Sequence, residues 1–339
     1  MTPVARSGQP LRVGIAGAGW VAPHHLSAWA TLAGRAEVVA IADPHVDAAH
    51  TRARKFGVPA VHTSVEAMLA SERLDAVDIA APREVHAEIC LMAARRGLAI
   101  LCQKPLAPTL ADAEVLAEEV ERLGARLMVH ENWRFRPHYR RIGDWLRADR
   151  VGQVRTLSVA LLTSGLLPDS QGNLPALVRQ PMLATLDRFL LMEVMIHLVD
   201  TVRFLVGPLT LAGARLGKSC AVVRGEDRAS LLLTAAGGAS VSIVGDFMAH
   251  GYPPEQFDRV EILGTRGSIT LERDRLRLRG ERDEEIRLDL PSNYRASYIG
   301  AITHFVDRLS DGAPFETRPS DNLETLRIVE VAYQKGAWS

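Results

Sequence analysis

Five short apolar runs dominate the first 130 residues, at positions 11–16, 38–42, 76–80, 99–102 and 126–129, and most carry no polar residue at alternate positions. A strand with one wet face alternates polar and apolar side chains. A strand without alternation is buried on both faces, as happens in a parallel sheet covered by helices. Helical stretches separate these runs. Thr63 with Glu66, and Thr109 with Asp112, fit capping boxes before two of the helices, and Gly124 fits a stop for the second. This strand–helix alternation predicts an α/β, doubly wound parallel domain over residues 1–130.

The pattern changes further on, and residues 131–339 are expected to form a second domain. Residues 154–162 read as a strand, 167–181 as a long loop rich in Pro, Gly, Asn and Gln, and 185–206 as an apolar helix. Strands follow at 209–216, 229–235, 240–248, 259–263 and 268–271. Gly237-Gly238 joins one pair of strands and the stretch from Gly264 to Gly267 joins another, so hairpins and a mostly antiparallel sheet are expected. Residues 231–233 and 241–244 lack clean alternation, which predicts a sheet covered on both faces. Two helices, near 298–310 and 322–334, close the chain. A length of 339 residues suits two domains.

Composition removes several function classes. Lys plus Arg and Asp plus Glu both number 40, so neither a nucleic-acid footprint nor a polybasic membrane surface is present. No apolar run is long enough for a membrane span. Cys90, Cys102 and Cys220 match no zinc spacing and, being three, no disulfide framework, which points to a reducing, cytoplasmic compartment. No metal-ligand spacing appears elsewhere. Residues 1–9 lack an apolar signal core and are expected to form a short disordered lead-in.

The first strand runs directly into Gly17-Ala18-Gly19-Trp20-Val21-Ala22, in which Gly17, Gly19 and Ala22 fill a G-x-G-x-x-G/A pattern. The first position allows a tight turn, the second a close approach of a pyrophosphate, and the third helix–strand packing. Trp20 and Val21 open the helix, whose N-terminal N–H groups suit phosphates. A bare glycine turn would look similar. Asp43, however, ends the second strand 21 residues after Ala22, where a carboxylate binds a ribose 2′-hydroxyl. That carboxylate favours NAD over NADP, while His45, Arg52 and Arg54 keep NADP open. Asp43 would also serve as a local cap before Pro44.

Lys104, in Cys102-Gln103-Lys104-Pro105, ends the fourth of the apolar runs, on the side of a doubly wound sheet where ligands bind. A partly desolvated lysine there can hydrogen-bond a substrate hydroxyl; a solvated surface lysine would have the same spacing. Glu193 and His197 are four residues apart in an apolar stretch and would share one helix face. Such a carboxylate–imidazole pair suits acid–base work near neutral pH, and a satisfied core histidine is the alternative. Asp200 reads as structural.

These residues, in this order, resemble the Gfo/Idh/MocA family of dehydrogenases. The likeness rests on the glycine turn, Ala80-Ala81-Pro82 with His86, Lys104-Pro105, the 193–200 segment with Arg203-Phe204-Leu205, and the hairpin at 262–267. It implies a Rossmann domain followed by an α/β domain with an open, mostly antiparallel sheet that often forms homodimer or homotetramer contacts. The family's catalytic lysine falls on Lys104, and its later D-x-x-x-H pair falls on Glu193 and His197. Ala81, Pro82 and His86 fall where the family's loop approaches the nicotinamide. Gln103 stands where the family usually has Glu, Glu193 where it has Asp, and Met195 where it has Gly. The runs 102–105 and 130–134 resemble a subgroup that contains D-apiose dehydrogenases.

The implied reaction is hydride transfer between a sugar, sugar acid or cyclitol hydroxyl and a nicotinamide. His197 would take the hydroxyl proton while Lys104 stabilises the oxygen, or Lys104 would be the base and His197 would orient; Glu193 would orient His197 or bind a neighbouring hydroxyl. Asn132, Trp133 and Arg134 would add donors and an aromatic wall for a polyol, and Arg179 would reach in from the loop. Two other readings stay open: an NAD-dependent glycosidase on the same fold, and a non-catalytic nucleotide-binding sensor.

Overall fold

The computed structural model describes residues 9–338. The expected disordered lead-in lies outside the described residues except for Gln9. The chain divides into two compact units, one holding the chain up to residue 135 together with 294–324, the other holding 136–293 and the chain from 325 onward.

The first unit alternates β1 (Leu11–Ala16), α1 (Ala22–Ala30), β2 (Ala36–Ala42), α2 (Val46–Phe56), β3 (Ala60–His62), α3 (Val65–Ser71), β4 (Ala76–Ile79), α4 (His86–Arg95), β5 (Ala99–Gln103), α5 (Leu110–Arg122) and β6 (Leu127–His130). The strands form one sheet in the order β3-β2-β1-β4-β5-β6, and every pairing is parallel. This is the doubly wound Rossmann arrangement. Strand β3 escapes the sequence pattern because it has three half-buried residues and no apolar run. Helix α3 is capped by Ser64, whose hydroxyl accepts from Ala67 N–H at 3.1 Å, one residue beyond the expected Thr63. Thr109 caps α5 as expected, accepting from Asp112 N–H at 3.1 Å. Gly124 follows α5 with φ +66°, a left-handed position that glycine adopts without a Cβ penalty.

The chain re-enters this unit from residue 294, within α9 (Leu290–Asp311). Tyr298, Ile302, Phe305, Leu309 and Phe315 join Trp29 and Leu32 in one hydrophobic core, with Trp29 and Phe305 edge to face at 6.3 Å. Burying an aromatic or large aliphatic side chain stabilises by about 1.5–3 kcal/mol, so this returning segment is integral to the first unit. The expected second domain ran unbroken from 131 to 339; apolar periodicity identifies the closing helices but not the sheet they cover.

The second unit contains α6 (Pro137–Arg147), β7 (Val154–Leu162), α7 (Pro175–Arg179), α8 (Ile196–Val206), β8 (Leu209–Gly217), β9 (Arg228–Ala235), β10 (Ser240–Asp246), β11 (Asp258–Gly264), β12 (Ser268–Glu272), β13 (Arg275–Arg279) and β14 (Glu284–Arg287). The end of α10 (Pro319–Lys335) and β15 (Ala337–Trp338) complete it. Its nine-stranded sheet runs β14-β13-β12-β11-β7-β10-β9-β8-β15. Only the β7–β10 and β8–β15 pairs are parallel. The residues between the β9 and β10 strands include Gly238 at φ +86°, the expected tight turn. Strands β13 and β14 were not anticipated: Leu276 and Leu278 point inward, but the intervening arginines make the run read as surface.

Three expectations change here. Within one chain this sheet is not covered on both faces: β9 alternates, with Leu231 and Leu233 buried and Leu232 55% exposed. The expected loop at 167–181 contains α7. The expected helix from 185 begins only at Leu190, with a π-helical turn over Leu190–Met195 before α8.

Candidate active site

At the glycine turn of the first unit, Gly17 has φ +107°, and a Cβ there would lie 2.4 Å from the carbonyl oxygen of Ala80. Its N–H donates to the Ala42 carbonyl at 2.8 Å, so the turn is pinned between β2 and the end of β4. Only glycine satisfies both the dihedral and the contact. Gly19 differs. A Cβ there would meet nothing within 4 Å, so its smallness serves no packing inside the protein and suits backbone contact with a pyrophosphate. Trp20, 44% exposed, and half-buried Val21 lead into α1, which starts without a side-chain cap.

Asp43 sits at the tip of β2. Its Oδ2 accepts from Ala18 N–H and its Oδ1 from His45 N–H, both at 2.7 Å. It is thus both a loop cap and a fixed acceptor at the glycine turn. Each oxygen retains a lone-pair site for a ribose hydroxyl. Arg52 reaches the same turn, its Nε donating to the Ala18 carbonyl at 3.3 Å.

Lys104 is half-buried at the C-terminal end of β5, and the Lys104–Pro105 peptide is cis. Beside it, His86 is buried. Its Nδ1 lies 2.9 Å from the Pro105 carbonyl and its Nε2 lies 2.9 Å from the Ala81 carbonyl. His86 therefore ties the loop after β4 to the loop after β5. With both nitrogens against backbone carbonyls, it shapes the loop that carries Ala81 and Pro82. Burial lowers its pKa, against the two carbonyls, which favour protonation. Ala81 is half-buried and Pro82 exposed on that loop.

The 130–136 segment is engaged within its own unit. It follows β6 as expected, but Asn132 is buried and donates to Ser297 Oγ at 2.8 Å, while Arg134 donates to Asp321 Oδ2 at 2.8 Å. Trp133 is buried. Asn132 and Arg134 bind the returning segment of their own unit; the sequence shows the donors but not that later residues claim them.

In the second unit, Glu193 lies half-buried on the π-helical turn, and His197 lies buried on the first turn of α8. The same-face argument assumed one uninterrupted α-helix, and the wider π turn breaks that assumption. Such turns recur at functional sites. Met195, in the family's glycine position, is fully buried against β10. A Cβ on Gly245 would lie 2.5 Å from its sulfur, so Gly245 supplies the room that Met195 takes.

The start of this helical segment is held by Glu226, which sequence reasoning passed over. Its Oε1 accepts from Leu191 N–H at 2.8 Å and from the Tyr333 hydroxyl at 2.6 Å; its Oε2 accepts from Phe189 N–H at 3.3 Å. A carboxylate from another segment thus does the work of a missing local cap. Arg179, half-buried, ends α7.

With this geometry in view, comparison with known proteins is decisive. A family model described as the oxidoreductase family with an NAD-binding Rossmann fold matches residues 11–131, and that family's C-terminal domain matches 139–270. The chain belongs to the Gfo/Idh/MocA family. It is 32% identical to a D-apiose dehydrogenase of Paraburkholderia graminis over 94% of this chain and 85% of that one. An inositol 2-dehydrogenase of Rhizobium meliloti is 26% identical over 96% and 97%. A crystal structure of an oxidoreductase from Agrobacterium radiobacter, in complex with NAD+, L-tartaric acid and magnesium, superposes with a TM-score of 0.89 at 27% identity, covering 96% of each chain. This Gfo/Idh/MocA protein is therefore an NAD-binding oxidoreductase.

Proposed function

We propose that the protein oxidises a hydroxyl-bearing carbon of a sugar, sugar acid or cyclitol, with NAD as hydride acceptor. The observation that carries this is Lys104: a half-buried amine at the tip of β5, in the unit whose glycine turn suits a dinucleotide. The dehydrogenase names of its sugar and cyclitol relatives support the substrate class. NAD, when bound, supplies the carbon that accepts hydride. The protein's part is to hold the dinucleotide and move a proton. Gly17, Gly19, Trp20 and Val21 would hold the pyrophosphate, and Asp43 the ribose. The fixed negative charge of Asp43 disfavours a 2′-phosphate, so NAD is the preferred cofactor.

Lys104 binds the reacting oxygen and stabilises the charge that develops there. His197 takes the hydroxyl proton, and Glu193 orients His197 or binds a neighbouring hydroxyl. Arg179 belongs to the same substrate set. Cys90, Cys102 and Cys220 are free thiols, which supports a reducing, cytoplasmic setting. No described helix is long and apolar enough to cross a membrane. Assembly as a homodimer or homotetramer is part of the proposal, supported by the exposed Leu232 face of β9, and sedimentation tests it.

The test of function is a panel of sugars, sugar acids and cyclitols with NAD and with NADP, read by NADH or NADPH absorbance. Net NADH formation on at least one of them is expected. Cofactor binding without reduction on any compound overturns the dehydrogenase reading, as does sugar hydrolysis without net NADH.

A further inference from the structure

Beneath Lys104 lies a buried polar chain that the reaction does not use directly. Asp78 is a single carboxylate in the apolar strand β4 and is fully buried. Its Oδ2 accepts from Trp29 Nε1 at 2.7 Å and lies 2.8 Å from His25 Nδ1, both on α1. The other nitrogen of that ring, Nε2, lies 2.9 Å from Gln103 Nε2. The same amide nitrogen lies 3.3 Å from His130 Nδ1 on β6. Gln103 Oε1 accepts from Lys104 N–H at 3.0 Å.

The proton pattern follows from chemistry. A backbone N–H only donates, so the atom facing Lys104 N must be the amide oxygen, and the NH2 group must face both imidazoles. Asp78 faces His25 Nδ1 as an acceptor, so that nitrogen carries the proton and Nε2 is left to accept. His130 Nδ1 likewise accepts, so its proton resides on Nε2. Each hydrogen bond of the chain then joins a donor to an acceptor.

We propose that Gln103 is a positioning residue for Lys104, locked by the Asp78–His25 pair and by His130, and that the lock requires an amide at position 103. This rests on the reading of Lys104 given above. Two N–H donors and one acceptor on a single planar group are what an amide has and a carboxylate lacks. A Glu at 103 would set a second acceptor against two accepting nitrogens. Even with His130 in its other tautomer, the carboxylate would face the accepting Nε2 of His25, so it would be held only when that ring takes up a proton. The departure from the family's usual Glu is therefore matched to the two imidazoles of this chain.

The titratable groups around this amide are Asp78 from β4, His25 and His24 from α1, His130 and the following Glu131 from β6, Lys104 itself, Cys102 on β5 with Cys90 on α4, and Tyr298 on α9. His25 and His130 lie against each other with tilted rings, 4.4 Å between centroids, and Tyr298 abuts both. His24 stacks on Tyr298.

Two experiments test the lock. The first compares Gln103→Glu and Gln103→Met with the parent enzyme, by the ratio of variant kcat to parent kcat at each pH. For Gln103→Glu this ratio is expected to be lower by about tenfold or more at neutral and alkaline pH, and to recover in acid as an imidazole supplies the missing proton. For Gln103→Met it is expected to be low and flat. NADH affinity, read by quenching of tryptophan fluorescence, is expected to stay unchanged in both. A merely structural role would lower affinity and thermal midpoint together and give no recovery with pH. A pH-independent ratio for Gln103→Glu overturns the proposal.

The second experiment needs no turnover. Nitrogen-15 histidine spectra of the parent protein, assigned by the signals lost in His25→Gln and His130→Gln, report the tautomers. His25 protonated on Nδ1 and His130 protonated on Nε2 are expected; the opposite tautomer at His25 overturns the lock. Near-normal turnover in Lys104→Ala, by contrast, would remove the catalytic reading of Lys104 and leave the tautomers as assigned.

Discussion

Glu226 offers a quantitative test of how the segment bearing Glu193 and His197 is held. Replacing it with Ala removes the acceptor for three groups, at 2.8, 2.6 and 3.3 Å. A buried donor left without an acceptor costs about 1–3 kcal/mol, and the 3.3 Å bond belongs at the low end, so the gross loss is about 5 kcal/mol. Burial raises the Glu226 pKa against the pull of Tyr333 and the backbone donors, a sign that keeping the charge buried is itself costly. Removing the carboxylate recovers part of that cost, leaving a net loss of about 3 kcal/mol. For a unit of this size the thermal midpoint falls by about 6–12 °C.

The sharper readout is a double-mutant cycle with Tyr333→Phe, followed by thermal and urea unfolding. Tyr333→Phe alone removes one hydrogen bond and costs about 1 kcal/mol; the Arg188 guanidinium stays over the ring at 4.6 Å. In the Glu226→Ala background the hydroxyl has already lost its acceptor, so the second change should cost nothing. The coupling is then about 1 kcal/mol. An equal cost for Tyr333→Phe in both backgrounds would refute the assignment of Glu226 as the shared acceptor.

Four further outcomes are expected. Gly17→Ala, which forces a side chain onto φ +107° and against Ala80 O, should weaken NADH binding by about tenfold or more, measured by fluorescence titration. Lys104→Ala should cut turnover by about 10² while leaving NADH affinity intact, in steady-state and binding assays run together. Asp43→Ser should weaken NAD and relax the bias against NADP; an unchanged ratio of the two affinities would remove Asp43 from the ribose site. The last concerns acid stability. Burial pushes Asp258 up, but Arg136, with His138 and Tyr139, outweighs it and holds the carboxyl down at about 2, against an ordinary 3.8. The unfolded chain therefore takes up this proton first as pH falls, so the contribution is present above pH 3.8 and disappears toward pH 2. It amounts to about 2 kcal/mol, and the stability gap between the parent and Asp258→Asn should narrow by that amount across the window in denaturant unfolding.

The strands of the first sheet were readable because burial on both faces strips polar residues from them, and the glycine turn because Gly17 and Gly19 have chemical reasons to be glycine. Asp78 broke the β4 run in plain sight, yet its meaning depends on His25 and Gln103, which lie far away in sequence. The same limit explains Asn132 and Arg134: their partners Ser297 and Asp321 come from the returning segment. The π-helical turn was illegible because its residues carry the same apolar pattern as an α-helix. Strands β13 and β14 were hidden by arginines that line one face. In the second unit, the hairpins at Gly238 and Gly264–Gly267 were legible from turn chemistry, whereas the Glu226 cap was not, because it arrives from 33 residues beyond Glu193.

The return of residues 294–324 sets the order in which this protein can be made. While the ribosome is still producing the second unit, the nucleotide-binding half has its whole sheet but lacks Phe305, Ile302 and Phe315, and the indole of Trp29 lacks the ring that packs against it. The half that is synthesised first is finished almost last. A nascent chain of this design carries an open apolar face until the returning segment is made, the kind of surface through which incomplete chains aggregate.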